Sequence, residues 1–413
     1  MVDSEKKAIF EGDPLRELDS PKEFAELRLT SQGRLGDTLA DFENSSVEVF
    51  GGIVGELVRA RIYRYKRRRE NKISGIVSEV LEPSPYRISG PCPYFGPCSG
   101  CQWQHISYEH QLRLKRDMVK NIFDEYSSLS GVQVSNTQAA PNYFNYRNHA
   151  RFTVRFEGKL GFSNRITRRF VKIDECMLMD PKINGFLSAL QEKASETTNI
   201  SVRVGVNTDD YLIQPELFHS SIDFETGQRW YTEKMIGRKF RVASPSFFQV
   251  NTKQAEFMIK LVGDKLKLSG EEILVDAYAG VGVFASLLSN RVRKVIAIEE
   301  SKAAVEDALF GLKDLNNIDY IEGKTEKILK ELKDQVDVII LDPPRTGCHP
   351  QAIESVIGSK ATKLAYVSCD PPSLARDLEI LVKGGYKIDT VTPIDMFPQT
   401  YHIECVTTLF LDR

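Results

Sequence analysis

The sequence contains no apolar run approaching the roughly 20 residues that a membrane-spanning helix needs, so no helical membrane anchor is expected. Its first residues, Met1-Val2-Asp3-Ser4-Glu5-Lys6-Lys7, are charged and lack the apolar centre of a secretory leader. Neither charge is in excess: 55 basic against 57 acidic residues leave a net charge of -2. That excludes a global attraction to nucleic acid, and any basic surface must be local. There is no internal repeat and no low-complexity segment. Cysteine is scarce and uneven, seven in all with three inside ten residues. This is a poor disulfide framework and a good metal or cluster site for a reducing cytoplasm, where the protein is expected, as a monomer.

At 413 residues, 41% apolar and 27% charged, the chain has the composition of a soluble protein of two or three domains. Residues 1–21 are polar and read as a mobile leader. From 22 to 85, short alternating runs separated by glycines predict a small β-barrel of the OB type; examples are Ala25–Leu29, Ser46–Phe50, Ile53–Val58 and Ile73–Val77. Within it lies Arg59-Ala60-Arg61-Ile62-Tyr63-Arg64-Tyr65-Lys66-Arg67-Arg68-Arg69. The cations can neutralise phosphates and the rings can stack bases, which points to RNA. The competing reading is a solvated hairpin tip. Seven cations in eleven residues without an acid would repel each other unless an anionic partner were present.

Residues 86–240 are expected to form a central domain of mixed strands and loops. It opens with Cys92, Cys98 and Cys101 in a loop rich in Pro and Gly, spaced C-x5-C-x2-C. Three converging thiolates need a fourth ligand, and Cys176 is the next cysteine. Four thiolates suit zinc or an iron–sulfur cluster; a three-plus-one pattern tilts toward iron–sulfur, since structural zinc usually has two close pairs. His105 is near but not required. A helix is expected over His105–Tyr126. A second basic and aromatic zone runs from Tyr143 to Lys172 and includes Phe144, Tyr146, Arg147, His149, Arg151, Arg155, Arg165, Arg168 and Arg169. It reads equally as an RNA contact or as the exposed face of a sheet.

From residue 271 strands and helices alternate strictly. Apolar strands are expected at Ile273–Asp276, Val295–Glu299, Ile318–Ile321, Val336–Asp342 and Leu364–Val367, and two more near Ile388–Ile394 and Ile403–Leu409. With helices between most of them this is an α/β fold, a doubly wound and mostly parallel sheet, placed at 241–413. Ligands bind such sheets at the carboxyl ends of the strands. The turn Ala277-Tyr278-Ala279-Gly280-Val281-Gly282 has no third glycine for a dinucleotide fingerprint and no Walker lysine. Glu299 ends the second strand, where a carboxylate can take both ribose hydroxyls. An adenosine ligand without a pyrophosphate fits, which points to S-adenosylmethionine.

Asp342-Pro343-Pro344 resembles the fourth motif of nucleic-acid methyltransferases that use S-adenosylmethionine. Arg345 follows it where amino methylation would place an aromatic. Cys369, at the next strand end and beside a helix start, suggests covalent chemistry on a pyrimidine. A helix N-terminus favours the thiolate; the plainer reading is a buried, inert cysteine. Carbon 5 of uracil is a weak nucleophile until a thiolate adds at carbon 6. A base must then remove the carbon 5 proton, and His402 and Glu404 are both candidates. Cys348 and Cys405 are assigned to structure.

Together these stretches resemble the RNA uracil-C5 methyltransferases that make 5-methyluridine, over about 390 residues. Ser244-Pro245-Ser246-Phe247-Phe248-Gln249-Val250-Asn251 is similar to that family's cofactor-approach motif. The resemblance implies a class I, Rossmann-like methyltransferase domain in which Gln249, Tyr278, Glu299 and Asp342 bind S-adenosylmethionine. It implies Cys369 as nucleophile and Glu404 as proton acceptor. It implies a TRAM-like RNA-binding barrel over 22–85 and a 4Fe-4S cluster on Cys92, Cys98, Cys101 and Cys176. Ala279 and Val283 depart from the family, where many members carry Cys and some Asn. The layout implies an RNA substrate, 23S rRNA ahead of tRNA. Cytosine-C5 methylation, which also uses a cysteine, and an inactive iron–sulfur or zinc RNA-binding protein are the competing readings.

Overall fold

The computed structural model describes residues 23–67, 70–164, 168–332 and 335–411. The expected leader, Arg68, Arg69 and Arg165 lie outside these residues.

Strands β1 (Phe24–Arg28), β2 (Ser31–Gln32), β3 (Thr38–Phe42), β4 (Ser45–Phe50), β5 (Leu57–Arg67) and β6 (Glu70–Glu82) form one sheet in the order β1-β5-β6-β4-β3-β2. Alternation along β5 sends Val58, Ala60 and Ile62 into a core with Leu27, Ala40, Val47 and Val49. Arg59 is left outside. It pairs with Glu26 at 3.0 Å and Glu79 at 2.6 Å, while Arg64 pairs with Glu23 and Glu43 at 2.9 and 2.8 Å. Neighbouring strands thus supply acids that the local sequence lacks, and self-repulsion does not by itself demand an external anion. The expected strand over Ile53–Val58 begins only at Leu57. Ahead of it the Glu56 carboxylate accepts from the Ile53 amide at 2.8 Å and pairs with Arg87 at 2.6 Å, which folds the segment into a turn.

Helix α1 (Tyr108–Asp124) follows the cysteine loop. It packs on the C-terminal sheet, where Val119 and Phe123 share a core with Ile339, Tyr366, Leu378 and Val391. Bridges Val134↔Val391 and Gln138↔Ile394 lay the next segment along the edge of that same sheet. Strands β7 (His149–Arg155), β8 (Lys159–Ser163), β9 (Phe170–Lys172), β10 (Asn199–Val204) and β11 (Tyr211–Gln214) form an antiparallel sheet in the order β11-β10-β7-β8-β9. Helix α2 (Pro181–Leu190) buries Ile183, Leu187 and Leu190 in its core. The hairpin of β12 (Trp230–Met235) and β13 (Arg238–Ala243) turns Tyr231, Met235, Phe240 and Val242 the other way, into the C-terminal core.

That core surrounds a seven-stranded sheet. Its elements are α3 (Thr252–Lys265), β14 (Ile273–Asp276), α4 (Val283–Leu288), β15 (Lys294–Glu299), α5 (Lys302–Gly311), β16 (Ile318–Glu322), α6 (Thr325–Glu331), β17 (Val338–Leu341), α7 (Pro350–Ser359), β18 (Lys363–Ser368), α8 (Pro371–Lys383), β19 (Tyr386–Ile394) and β20 (Glu404–Leu411). The order is β16-β15-β14-β17-β18-β20-β19, parallel except for β20, which runs against both neighbours. Both faces are covered, so the central strands are apolar throughout; β14 and β17 are fully buried. Helices α3 and α7 were not expected from the sequence. Each starts on a capping side chain, Asn251 accepting from the Gln254 amide and His349 from the Gln351 amide, both at 3.3 Å.

Candidate active site

Three acidic strand ends meet at one edge of the sheet. Asp276 closes β14 and is fully buried. One of its oxygens accepts from the Ala285 amide at 2.9 Å and the other has no partner. Burial, then the charges of Asp342 and Glu299, push its carboxyl up to about 7. Asp342, after β17, is half-buried and is likewise pushed up to about 7 by burial. Glu299 accepts from the Gly280 amide at 2.9 Å and from the Ser301 amide at 2.7 Å, which ties the end of β15 to the glycine turn. Gly280 and Gly282 have φ of 57° and 82°, a backbone that glycine adopts without steric cost.

Of the other two residues expected at the cofactor, Gln249 is half-buried and its carbonyl accepts from Asn148 at 3.0 Å, just ahead of α3. The Tyr278 hydroxyl is turned to the Cys348 thiol, and burial and that thiol raise its pKa. Cys348 sits in a buried network: its amide donates to Asp377 at 2.8 Å, and Tyr366 donates to the same carboxylate at 2.6 Å.

The place of the expected nucleophile, Cys369, follows from strand pairing. Antiparallel β18 and β20 pair Ser368 with Cys405. One step further the register puts Cys369 opposite Glu404. Glu404 is 4% exposed, and its pKa is raised well above the usual carboxylate range by burial and then by Asp342. Cys369 is half-buried and its thiol is pushed up to about 11 by burial and by Glu404, with Arg345 within hydrogen-bonding reach and opposing the rise. The resting thiolate expected from the nearby helix is therefore not found. Cys369 lies just outside α8, and the capping carboxylate of Asp370 already accepts from the Ser373 amide at 3.1 Å. The end of the helix is satisfied by an acid, not by the thiol.

Arg345 was not singled out in the sequence, because only the fold brings it across to Cys369. It also approaches His402 Nδ1 at 3.2 Å. The His402 ring packs beside Tyr401 and Phe397, with centroids 4.2 and 5.8 Å away. One ring nitrogen of His402 thus faces a guanidinium.

The four expected ligand cysteines line one cavity of about 250 Å³, together with Arg147, Arg151 and Glu175. Tyr94 fastens the loop to the segment bearing Cys176: its hydroxyl donates to Asp174 Oδ2 at 3.1 Å and accepts from the Asp174 amide at 3.0 Å. Burial raises all four thiols. Among the described residues no three His, Cys, Asp or Glu side chains are grouped as a site for a single ion. His105 is turned away to the Gly52 carbonyl, 3.2 Å distant. The second basic zone divides. Tyr146 is buried with its hydroxyl on the Pro398 carbonyl at 3.1 Å, and His149 contacts Ser201 at 3.0 Å, while Tyr143 is exposed and stacks on Tyr108.

The family described as tRNA (Uracil-5-)-methyltransferase matches residues 231–413. An RNA methyltransferase of Clostridium tetani is 31% identical over 433 residues, covering 90% of this chain and 94% of its own. The chain belongs to the RNA uracil-5-methyltransferase family. It is an RNA (uracil-C5-)-methyltransferase dependent on S-adenosylmethionine. An RNA methyltransferase of Thermotoga maritima is also 31% identical, over 93% of this methyltransferase and 98% of its own length. The tRNA (uracil-54, C5)-methyltransferase of Pyrococcus abyssi, solved with S-adenosyl-L-homocysteine, has the same fold. It superposes with a TM-score of 0.73 at 22% identity, over 93% of this chain and all of its own. No helix among the described residues is long and apolar enough to cross a membrane.

Proposed function

We propose that this methyltransferase modifies carbon 5 of a uridine in 23S rRNA through a covalent adduct on Cys369. The observation that carries the reading is the approach of Cys369 and Glu404, one residue beyond the Ser368–Cys405 pair that joins β18 to β20, with Arg345 and Asp342 beside them. The methyl group comes from S-adenosylmethionine as cosubstrate, with Glu299 on its ribose and Gln249, Tyr278 and Asp342 around the rest. The Cys369 thiol gives up its proton to solvent, Arg345 favouring the thiolate, which adds to carbon 6 of a uracil flipped out of the RNA. The electron pair moves onto the carbonyl at carbon 4, and carbon 5 becomes nucleophilic enough to take the methyl group. Once the sulfonium and the thiolate charges have both been consumed, the Glu404 carboxylate removes the carbon 5 proton. The ring double bond re-forms and the Cys369 thiolate leaves. Glu404, whose raised pKa favours the protonated acid, must first lose its own proton to solvent, and the carboxylate so formed is then a strong acceptor.

The cysteine cavity fits a 4Fe-4S cluster better than zinc. One tetrahedral ion needs all sulfurs within about 2.3 Å of a single point, whereas thiolates spread around a cavity suit a group with several metal corners. Cys92, Cys98, Cys101 and Cys176 would hold it, and it would fasten the loop to the central sheet. That loop and the N-terminal sheet, read as an OB-like TRAM domain, support rRNA as substrate. A tRNA uridine is the second reading, favoured by the family that matches residues 231–413.

Two substitutions test the chemistry. Cys369→Ala should abolish methylation and adduct formation and leave binding of S-adenosylmethionine nearly intact. Glu404→Gln should still transfer the methyl group and then stall, leaving a denaturation-resistant protein–RNA band carrying methyl label. Loss of a general base typically costs about 100- to 10,000-fold, enough for that band to accumulate. Methylation by Cys369→Ala would end the covalent reading. Mapping 5-methyluridine across rRNA and tRNA in a deletion strain decides the substrate.

A further inference from the structure

The loop between β19 and β20 carries His402 and leads into Glu404. Four successive carbonyls in it are each held by a different part of the chain. Met396 accepts from Asn251 at the start of α3 at 3.2 Å, and Phe397 from Lys115 of α1 at 3.1 Å. Pro398 accepts from Tyr146 of the central domain at 3.1 Å. Gln399 accepts from the amides of Gln102 and Trp103, directly after Cys101, both at 3.1 Å. Gln399 is 4% exposed and has a φ of 68°, a left-handed backbone that a non-glycine residue keeps only when its surroundings enforce it.

Gln111, buried on α1, supplies that enforcement. Its side-chain amide donates to Gln399 Oε1 at 3.0 Å, and its carbonyl oxygen accepts from the Gln399 amide at 3.1 Å. The same nitrogen donates to the carbonyls of Trp103 at 3.0 Å and Ile106 at 2.9 Å. Gln111 therefore binds the end of the cysteine loop and the catalytic loop to one point. On the far side of the loop, Tyr401 lies against Gly36 of the N-terminal sheet, where an added Cβ would meet its ring at 2.9 Å. Gln399 stands five residues before Glu404, so a shift at Gln399 is passed along a short stretch, buried at Thr400 and Ile403 and half-buried between them, to the proton acceptor.

We propose that Gln111 is a positioning residue for the last step of the reaction, holding Gln399 and through it setting Glu404 against the adduct on Cys369. Neither glutamine touches the reacting atoms. The nucleophile and the acidic strand ends are carried by β14, β15, β17 and β18, which the Gln111 contacts do not reach. Loss of the glutamine pair should therefore slow proton removal and leave methyl transfer in place. This rests on the reading of Glu404 as the base.

The test uses the full-length protein with Gln111→Met, Gln399→Met and the double variant. A displacement of an ångström at a catalytic group costs about 100-fold. Gln111→Met should lose turnover on that scale, accumulate methyl-labelled adduct, and keep single-turnover methyl transfer within about threefold of the parent. Gln111→Met removes both bonds of the pair and Gln399→Met the side-chain bond alone, so the double variant should be no slower than Gln111→Met. Gln399→Met keeps the four backbone carbonyl contacts and carries the same expectation if Gln111→Met fails to fold. Parental turnover, equal loss of methyl transfer and release, or additive losses in the double variant would each overturn the proposal. Absence of adduct in Glu404→Gln would instead remove the reading of Glu404, a separate result.

Discussion

Lys115 and Asp395, 280 residues apart in sequence, meet at 2.5 Å with both side chains fully excluded from solvent. The pair joins α1 to the first residue of the loop that leads to Glu404. One oxygen of Asp395 has no partner, so the pair is held at the cost of a partly unsatisfied buried carboxylate.

Breaking this pair from one side leaves a buried charge alone. Lys115→Met should destabilise the protein by about 3–5 kcal/mol. The double variant Lys115→Met, Asp395→Leu should regain most of that loss, because no charge is stranded. Thermal or urea unfolding of the three proteins measures the difference. Equal stability of the single and double variants would show that the charges do not interact as a pair.

Cys369 rests as a thiol pushed up to about 11, with Arg345 opposing the rise. Alkylation of Cys369 by iodoacetamide, followed on its peptide by mass spectrometry, should rise about tenfold per pH unit from 7 to 10. Arg345→Gln removes the opposing cation, so its rate at pH 8 should fall several-fold. A plateau near pH 8 in the parent protein would show that the thiolate is already formed.

The cofactor site carries its own pH signature. Asp276 and Asp342 are both pushed up to about 7, so each is largely protonated at pH 6. An ionised carboxylate favours the sulfonium of S-adenosylmethionine, so affinity should rise as pH passes through 7 and level off above 8. S-adenosyl-L-homocysteine lacks that charge and should show a shallower rise. For stability the sign is opposite. A carboxyl whose folded value is raised stabilises most below the ordinary carboxylate range and loses that contribution as pH rises toward 7. Asp342→Asn should therefore lose less stability than the parent between pH 5 and 8. Calorimetric titration and melts across that range check both signs.

Protein purified without oxygen should be brown and hold about four irons per chain, the content of a four-thiolate cubane cluster. Cys101→Ser should lower the iron content and loosen Gln102 and Trp103, which hold Gln399. Stoichiometric zinc without iron would replace the cluster with a single-ion site.

Much of the catalytic domain was legible because its signals are local. A strand buried on both faces must be apolar along its length, so β14, β17 and β18 stand out as runs, and at or just past the end of each stands a residue that those runs do not explain: Asp276, Asp342 and Cys369. Helix α8 was expected from Ser373 and starts two residues earlier, at Pro371, because both prolines fit a first helical turn. Less was legible in α3 and α7, whose caps, Asn251 and His349, follow loops rather than a strand end.

By itself the sequence determined the order of strands from 271 onward and the helices between them except α7, the acidic and thiol residues at the strand ends, and the cysteines that could share a centre. Each depends on neighbours a few residues away, through strand and helix period or ligand spacing. Only the tertiary structure decided that α1 belongs against the C-terminal sheet, that Arg345 reaches Cys369, and that Arg59 and Arg64 already have acids beside them. It also decided that four parts of the chain grip residues 396–399. Those contacts join residues tens to hundreds of positions apart, and no local period records which of two distant polar side chains will meet once both have lost their water.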